Sequence, residues 1–300
     1  YVGVGLHLHP DRAHHRHHTD RGLAVGLWTP QPDDVKVITN SGIVGSPAPG
    51  TAVPDGATVN TYGTLTEIIS AANNVQDSWG ISITFLGRTS PSAQLAEGCL
   101  DILCGGATDD VLIPSLLVGG AYIATGRSFF FPLHIPAGKR IAAQFSSGYA
   151  HTTEAALLVT LYGGSPPPWR TGRKVTAYGT KINNSRGQAV TPSSTGAAAS
   201  VTQMTASTTE DHFYFLPSFQ CSTDTTAATL YNNVGIGVGA ATEERIGTWW
   251  FNSHTDERQE GPYPDMGAWR HVPAGTRLTM LASCSGTPDL AYDGIIHAVS

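Results

Sequence analysis

The stretch HIPAGKRIAAQFSSG at residues 134–148 recurs as HVPAGTRLTMLASCSG at residues 271–286. In each copy, Pro and Gly stand where a tight turn needs them, and the turn leads into a segment in which apolar residues alternate with polar or small ones. Alternation with a period of two indicates a half-buried β-strand. The phrase therefore predicts the same turn and the same strand twice in one chain.

Four further pairs of segments match in the same order along the chain. They are VITNSG at 37 with KINNSRG at 181, TLTEIISA at 64 with SVTQMTAS at 200, DSWGISITF at 77 with DHFYFLPSF at 211, and CLDILCGGATDDVLI at 99 with YNNVGIGVGAATEERI at 231. Ordered matches at nearly constant spacing indicate two copies of one domain. We place the copies at 34–164 and 174–300, joined by a proline-rich linker at 165–173 and preceded by an arm at 1–33.

The fold class follows from the strand signals between the turns. Short alternating segments are separated by Gly, Pro, Asn or Ser, and only 13% of the residues are charged. This composition predicts an all-β protein of two tandem antiparallel β-sandwich or jelly-roll-like domains with an extended N-terminal arm. The segment from Leu65 to Ala72 also fits a short helix, although its β-branched partner at 200 favours a strand.

Charge and hydropathy exclude two classes of partner. The net charge is −6 and no run of Lys or Arg is present, so we expect no direct contact with nucleic acid. No apolar run reaches the roughly 18 to 20 residues that a membrane helix needs, so we expect no membrane partner.

The cysteines do not form a metal or disulfide framework by spacing. Cys104, Cys221 and Cys284 each fall on the inward side of an alternating segment, whereas Cys99 has the opposite parity to Cys104. Buried reduced thiols are the favoured interpretation. A bridge between Cys221 and Cys284 is the alternative.

Six of the twelve histidines lie between His7 and His18. His7 and His9 would share one face of an extended strand, and neutral imidazoles bind Zn, Ni or Cu. These two residues are the candidate metal ligands. A packing arm without any ion is the alternative, which the lack of a carboxylate or cysteine at a diagnostic spacing favours, and no other cofactor is expected.

Two sets of polar residues at matching positions in the copies are candidate metal ligands or catalytic residues. The acids Asp109–Asp110 and Glu243–Glu244 offer oxygen ligands for Ca²⁺, but without a complete loop a solvated turn is favoured. His134 and His271 lack an evident nucleophile or acid partner. The copies differ at nearly every polar position outside turns, so we expect that no set of catalytic residues is repeated. We therefore predict that the protein is not an enzyme.

Several aromatic residues are specific to the second copy. Trp249 and Trp250 are adjacent, so a strand would direct them to opposite faces, and Trp269 follows in a later segment. Exposed Trp is an anchor for protein interfaces and a stacking surface for sugars. These three tryptophans are the candidate interface or glycan-binding residues.

The repeated phrase HIPAGKRI and HVPAGTRL, the closing LLVTLYGG at 157 and the low charge resemble the β-sandwich virion proteins of tailed bacteriophages. The resemblance covers residues 34–300. It implies a non-enzymatic virion component, such as a capsid decoration, neck, collar or tail-attached protein, assembled in the host cytoplasm and carried on the extracellular particle. Its partners would be other virion proteins and further copies of itself. The alternative function is a carbohydrate-binding or receptor-binding adhesin module with a host glycan as ligand.

Overall fold

The structure is a computed structural model that describes residues 35–40, 50–88, 98–106, 108–118, 127–148, 154–181, 187–194, 197–223, 230–240, 243–254, 258–260, 266–286 and 291–300. Regular structure in these ranges is β-strand throughout, and no helix occurs in them. The predicted all-β class of tandem antiparallel sandwiches is confirmed. The arm at 1–33, with His7 and His9, lies outside the described residues.

Nine strands lie in the described part of the first copy. They are β1 (Val35–Thr39), β2 (Thr51–Pro54), β3 (Thr66–Ile69), β4 (Ser78–Arg88), β5 (Gly98–Gly105), β6 (Asp109–Leu117), β7 (Arg127–Phe131), β8 (Arg140–Ser147) and β9 (Glu154–Gly164). One sheet has the order β1-β9-β4-β7, with β2 also paired to β9, and the other has the order β3-β8-β5-β6. All pairings are antiparallel.

The residues described in the second copy form ten strands. They are β10 (Val175–Tyr178), β11 (Gln188–Val190), β12 (Ser200–Thr205), β13 (His212–Thr223), β14 (Leu230–Val238), β15 (Glu244–His254), β16 (Arg258–Glu260), β17 (Ala268–Val272), β18 (Leu278–Cys284) and β19 (Ala291–Val299). Their sheets have the orders β10-β19-β13-β17, with β11 paired to β19, and β12-β18-β14-β15-β16. The strand order of the first copy is thus repeated, with β16 added at one edge. The exact domain boundaries drawn from the sequence stay a prediction.

Alternating residues of the facing sheets fill the core of each copy. In the first copy, Ile81 and Ile83 of β4 meet Leu100 and Ile102 of β5, and all four side chains are fully buried. The segment from Leu65 to Ala72 contains strand β3, so the strand interpretation is confirmed.

The two copies are packed together through a buried interface. Strands β6 and β7 are the edge strands on one side of the first sandwich, and they lie against the sheet that contains β13 and β19. The backbone N–H of Leu117 donates to Ser218 Oγ at 3.2 Å, and the N–H of Gly98 donates to Gln220 Oε1 at 3.1 Å. Side chains of the second copy therefore satisfy N–H groups at the end of the first sandwich that would otherwise be open to another strand.

This packing explains why β13 does not alternate. Every residue of β13 from His212 to Gln220 is buried, because one face of the strand packs on the core of its own copy and the other on the first copy. Phe215 belongs to the second core, whereas Tyr214 and Leu216 join the first. A strand covered on both faces loses the period of two.

The cysteine interpretation is confirmed where the side chains are described. Cys99 and Cys284 are buried free thiols, and Cys104 is a half-buried free thiol that packs against the first core. The bridge between Cys221 and Cys284 is therefore not formed.

In the described ranges, no helix has the length and hydropathy of a membrane span.

Candidate functional site

The outer face of the sheet β12-β18-β14-β15 carries the exposed aromatic residues of the second copy. On β15, Trp249 and Phe251 pack on the core, so Trp250 between them points outward. Trp250 pairs with Asn233 across β14 and β15, and paired residues share a face of the sheet. Tyr231, two residues before Asn233, points the same way.

Two aromatic rings on this face are open to solvent. Tyr231 is 61% exposed and Trp250 is 58% exposed. Tyr231 pairs with Asn252, the residue two places after Trp250, so the two rings are diagonal neighbours on adjacent strands. Diagonal neighbours lie about 7 to 8 Å apart, within reach of one ligand.

Polar groups surround these rings. Asn252 pairs with Tyr231, and Ser283 pairs with Asn233 from the other side. Asn233 is 7% exposed, and its Oδ1 has no hydrogen-bond partner among the described residues. We call the group Tyr231, Asn233, Trp250, Asn252 and Ser283 the aromatic face.

The other two candidate tryptophans are held in place by the fold. Trp249 is half-buried against the second core, and its Nε1 donates to the carbonyl of Met266 at 3.0 Å. Trp269 lies on the edge strand β17, with its ring 4.9 Å from Tyr214 in an edge arrangement and 5.9 Å from Phe213 in a stacked one. Trp250 is therefore the one of the three whose ring is both largely exposed and set among polar side chains.

The first copy does not repeat the aromatic face. The residue paired with Cys99 is Leu117, which takes the place of Trp250 and is fully buried where β6 meets the second copy. An exposed Trp at this position is thus not required by the shared fold. Sequence reasoning found Trp250 but missed Tyr231, because an isolated Tyr at the start of a strand carries no signal of its own exposure.

The structure brings together a carboxylate and a histidine in each copy. Asp77 Oδ2 lies 3.7 Å from His134 Nε2, and Asp211 Oδ2 lies 3.6 Å from His271 Nε2. Oδ1 of each aspartate accepts the N–H of the alanine in the repeated turn at 2.8 Å. His134 also stacks on Trp79 with ring centroids 4.6 Å apart. These pairs fix the turn to the start of β4 in the first copy and to the start of β13 in the second.

The turn amide also affects the acidity of its partner. The N–H of Ala274 is the main cause that lowers the pKa of Asp211, with a contribution from His271. The carboxylate is therefore held in its ionised, accepting form.

Three of the four matched acids form ion pairs rather than a solvated turn. Asp109 pairs with Arg140, and Glu243 pairs with Arg277 at the same place in the second copy. Glu244 pairs with Arg270 at 2.7 Å. The arginines lie in or beside strands that are not neighbours of the acids' strands in the sheets, so the sequence match did not reveal these pairs. Within the described ranges, no group of three His, Cys, Asp or Glu side chains is arranged to hold a metal ion.

A tyrosine with 38% of its surface exposed lies beside the corresponding sheet of the first copy. Tyr62 donates its hydroxyl proton to Asp101 Oδ1 at 2.9 Å, and the N–H of Ser115 donates to the same oxygen at 2.7 Å. Burial raises the pKa of Tyr62 and raises that of the neighbouring Cys99 thiol to about 12. A thiol with this pKa stays protonated at neutral pH, so Cys99 is not an activated nucleophile.

No family model and no curated protein matches this chain. Solved structures show a distant likeness of fold. PNGF-II has a TM-score of 0.33 at 7% identity over 89% of this chain, which spans 66% of the PNGF-II chain. PNGase F, a glycosylasparaginase from Flavobacterium meningosepticum, has a TM-score of 0.33 at 10% identity, covering 89% of this chain and 96% of that one. The CBM22-1–CBM22-2 tandem of Paenibacillus barcinonensis Xyn10C has a TM-score of 0.27 at 12% identity, covering 89% and 91%.

The prediction that this chain is not an enzyme is contradicted by these matches, because PNGase F is an enzyme with a similar arrangement of strands. That prediction rested on the view that the copies share no polar constellation. The structure shows two such constellations, the aspartate–histidine pair and the acid–arginine pair. The likeness concerns the fold alone, and no catalytic residue is carried over from it.

Proposed function

We propose that this protein binds carbohydrate through the aromatic face of its second copy. The observation that carries the proposal is the pair of exposed rings, Tyr231 and Trp250, which lie beside Asn252 and Ser283 on one face of the sheet. The C–H face of a pyranose ring is apolar and packs on an aromatic ring, while its hydroxyl groups need hydrogen-bond partners at the rim.

The polar residues of the face supply those partners. Asn252 and Ser283 flank the two rings, and their amide and hydroxyl groups supply donors and acceptors at the rim. A protein interface of standard size buries about 800 Å² on each partner around an apolar centre. Two rings set among amides and a hydroxyl suit a sugar better than such a centre.

The test is binding to a panel of neutral and acidic polysaccharides by affinity electrophoresis, followed by titration of the best oligosaccharide. The Trp250→Ala and Tyr231→Ala variants should each weaken binding by about 30-fold, since an aromatic anchor typically contributes about 2 kcal/mol. Trp269→Ala is the matched control, because it removes an exposed Trp from another surface and should leave the affinity unchanged.

Two results would contradict the proposal. One is the absence of saturable binding to every polysaccharide in the panel. The other is self-association in analytical ultracentrifugation that Trp250→Ala abolishes, which would identify the aromatic face as an interface between copies of this chain.

The virion role stays a prediction. The fold and the comparisons do not bear on it, nor on its localisation, the homo-oligomeric state or the virion partners. Detection of this chain in purified phage particles would support the prediction. A glycan-binding face would suit a virion protein that contacts the surface of the host cell.

A further inference from the structure

A pocket lies at the junction of the two copies, away from the aromatic face. Its volume is about 590 Å³, within the usual range for small-ligand sites, and it is open on one side. The walls come from the β5–β6 hairpin, the repeated turn of the first copy and the linker. We call it the junction pocket, and its charged residues are Asp110, Lys139 and Arg173, with His134 beside them.

Two cations of the junction pocket have no ion-pair partner in the part of the chain that the structure describes. Lys139 and Arg173 are both exposed and form no salt bridge there, whereas the neighbouring Arg140 is paired with Asp109 and Lys174 with Glu210 at 2.7 Å. Only one carboxylate on the pocket wall, that of Asp110, opposes them. The pocket therefore has a surplus of positive charge in a protein whose net charge is −6.

Backbone hydrogen bonds hold these groups together. The N–H of His134 donates to the carbonyl of Gly172 at 2.8 Å, and the N–H of Gly172 donates to the carbonyl of Pro132 at 2.8 Å. The N–H of Arg173 donates to the carbonyl of Ser300 at 3.0 Å. The linker is thus fixed on both sides, and Arg173 is delivered to the pocket by the fold rather than by a free loop.

The second copy shows that this charge is not needed for the fold. At the equivalent place, Lys139 is replaced by Thr276 and Asp110 by Glu244, which is neutralised by Arg270. The linker that supplies Arg173 has no counterpart in the second copy, because it joins one copy to the other. The same turn and strands therefore form without the unpaired cations.

We propose that the junction pocket binds an oxyanion, the carboxylate, sulfate or phosphate group of a small ligand. Lysine and arginine form charge-assisted hydrogen bonds with such groups, and arginine does so with two parallel N–H donors. His134, held by its stack on Trp79 and its contact with Asp77, completes the wall on the turn side. The volume accommodates one acidic sugar ring or a phosphorylated group of similar size.

The experiment is isothermal titration of the full chain with sodium sulfate, inorganic phosphate and D-glucuronate, with D-glucose as the uncharged counterpart of the last. We expect that at least one of the three anions binds to the junction pocket with saturation. We expect that glucose does not bind there. Lys139→Gln and Arg173→Gln should each weaken the binding by about tenfold. Binding of glucuronate alone would identify an acidic sugar as the source of the oxyanion, and binding of sulfate and phosphate alone would identify a free or esterified inorganic group.

Two control variants separate this site from other effects. Lys174→Gln removes an exposed lysine next to Arg173 that is already paired, and it should leave anion binding unchanged. Trp250→Ala should also leave it unchanged, because the aromatic face is a different surface. The proposal is overturned if none of the three anions binds, or if an anion binds with the same affinity to wild type, Lys139→Gln and Arg173→Gln.

Discussion

His297 is a fully buried histidine at the interface between the copies. Its Nε2 lies 2.8 Å from Ser218 Oγ, and its ring meets the edge of Phe131 at 5.9 Å between centroids. Ser218 Oγ also accepts the N–H of Leu117, so the contact with Nε2 belongs to a buried polar group in which a charged ring has no solvent around it. Burial lowers the pKa of His297 from 6.5 to about 3.

This pKa predicts a loss of stability in acid. The folded pKa lies below that of the unfolded chain, so the unfolded state binds the proton more tightly. The contribution of His297 is complete above pH 6.5 and is lost as the pH falls from 6.5 to about 3, at up to about 1.4 kcal/mol per pH unit. Urea unfolding across this range should show a steeper acid loss in wild type than in His297→Phe. Equal slopes for the two proteins would contradict the assignment.

At the scale of elements, the repeated turn is the clearest unit of the fold. Gly138 and Gly275 have φ angles of 73° and 82°, in the left-handed region that glycine adopts without strain. The N–H of Gly138 donates to the carbonyl of Asn74 at 2.7 Å, and that of Gly275 donates to the carbonyl of Thr208 at 2.9 Å. Side chains differ between the copies, but the backbone contacts are the same.

Alanine at these glycines should cost stability through the backbone alone. A Cβ at Gly138 or Gly275 would meet nothing within 4 Å, so no clash contributes. We expect Gly138→Ala and Gly275→Ala each to lower the free energy of unfolding by about 1 kcal/mol. Gly106→Ala is the control, because its Cβ is equally unobstructed and its φ is not positive, and it should be nearly neutral. The measurement is urea unfolding, and equal effects at all three positions would contradict the backbone explanation.

For the whole molecule, the interface joins the cores of the two copies. The core of the first copy includes Tyr214, Leu216 and Val299 from the second. Tyr214 donates its hydroxyl proton to the carbonyl of Phe130 at 2.7 Å and accepts the N–H of Gly267 at 2.6 Å. One hydroxyl group therefore connects an edge strand of the first sandwich to the second.

Heat unfolding should accordingly show a single calorimetric transition. Tyr214→Phe removes the hydroxyl and leaves a buried carbonyl and an N–H with one partner fewer, so this transition should lose about 1 to 3 kcal/mol. Tyr231→Phe is the control, since that ring is 61% exposed. Two separate transitions, of which only one shifts in Tyr214→Phe, would show that the copies unfold independently.

Local patterns were a reliable guide where one side of a strand faces solvent or a turn needs a particular residue. The turn at Gly138 and the alternation of Ile81 and Ile83 follow from such short-range rules. Contacts between distant residues could not be inferred in this way. The pairing of Asp109 with Arg140 and the meeting of Asp77 with His134 depend on strand order, which one sequence does not encode in any readable spacing.

By itself, the sequence determined that the chain is all-β and that the same pattern of turns and strands occurs twice. Those properties depend on the period of side chains along a strand and on the backbone preferences of Gly and Pro, which are local. Only the tertiary structure decided that β13 is buried on both faces. It also decided that Trp250 is exposed to solvent whereas Leu117 is buried, and that Arg173 lies beside His134. The physical reason is that burial and charge neutralisation depend on what packs against a residue, and its packing partners here lie far away along the chain.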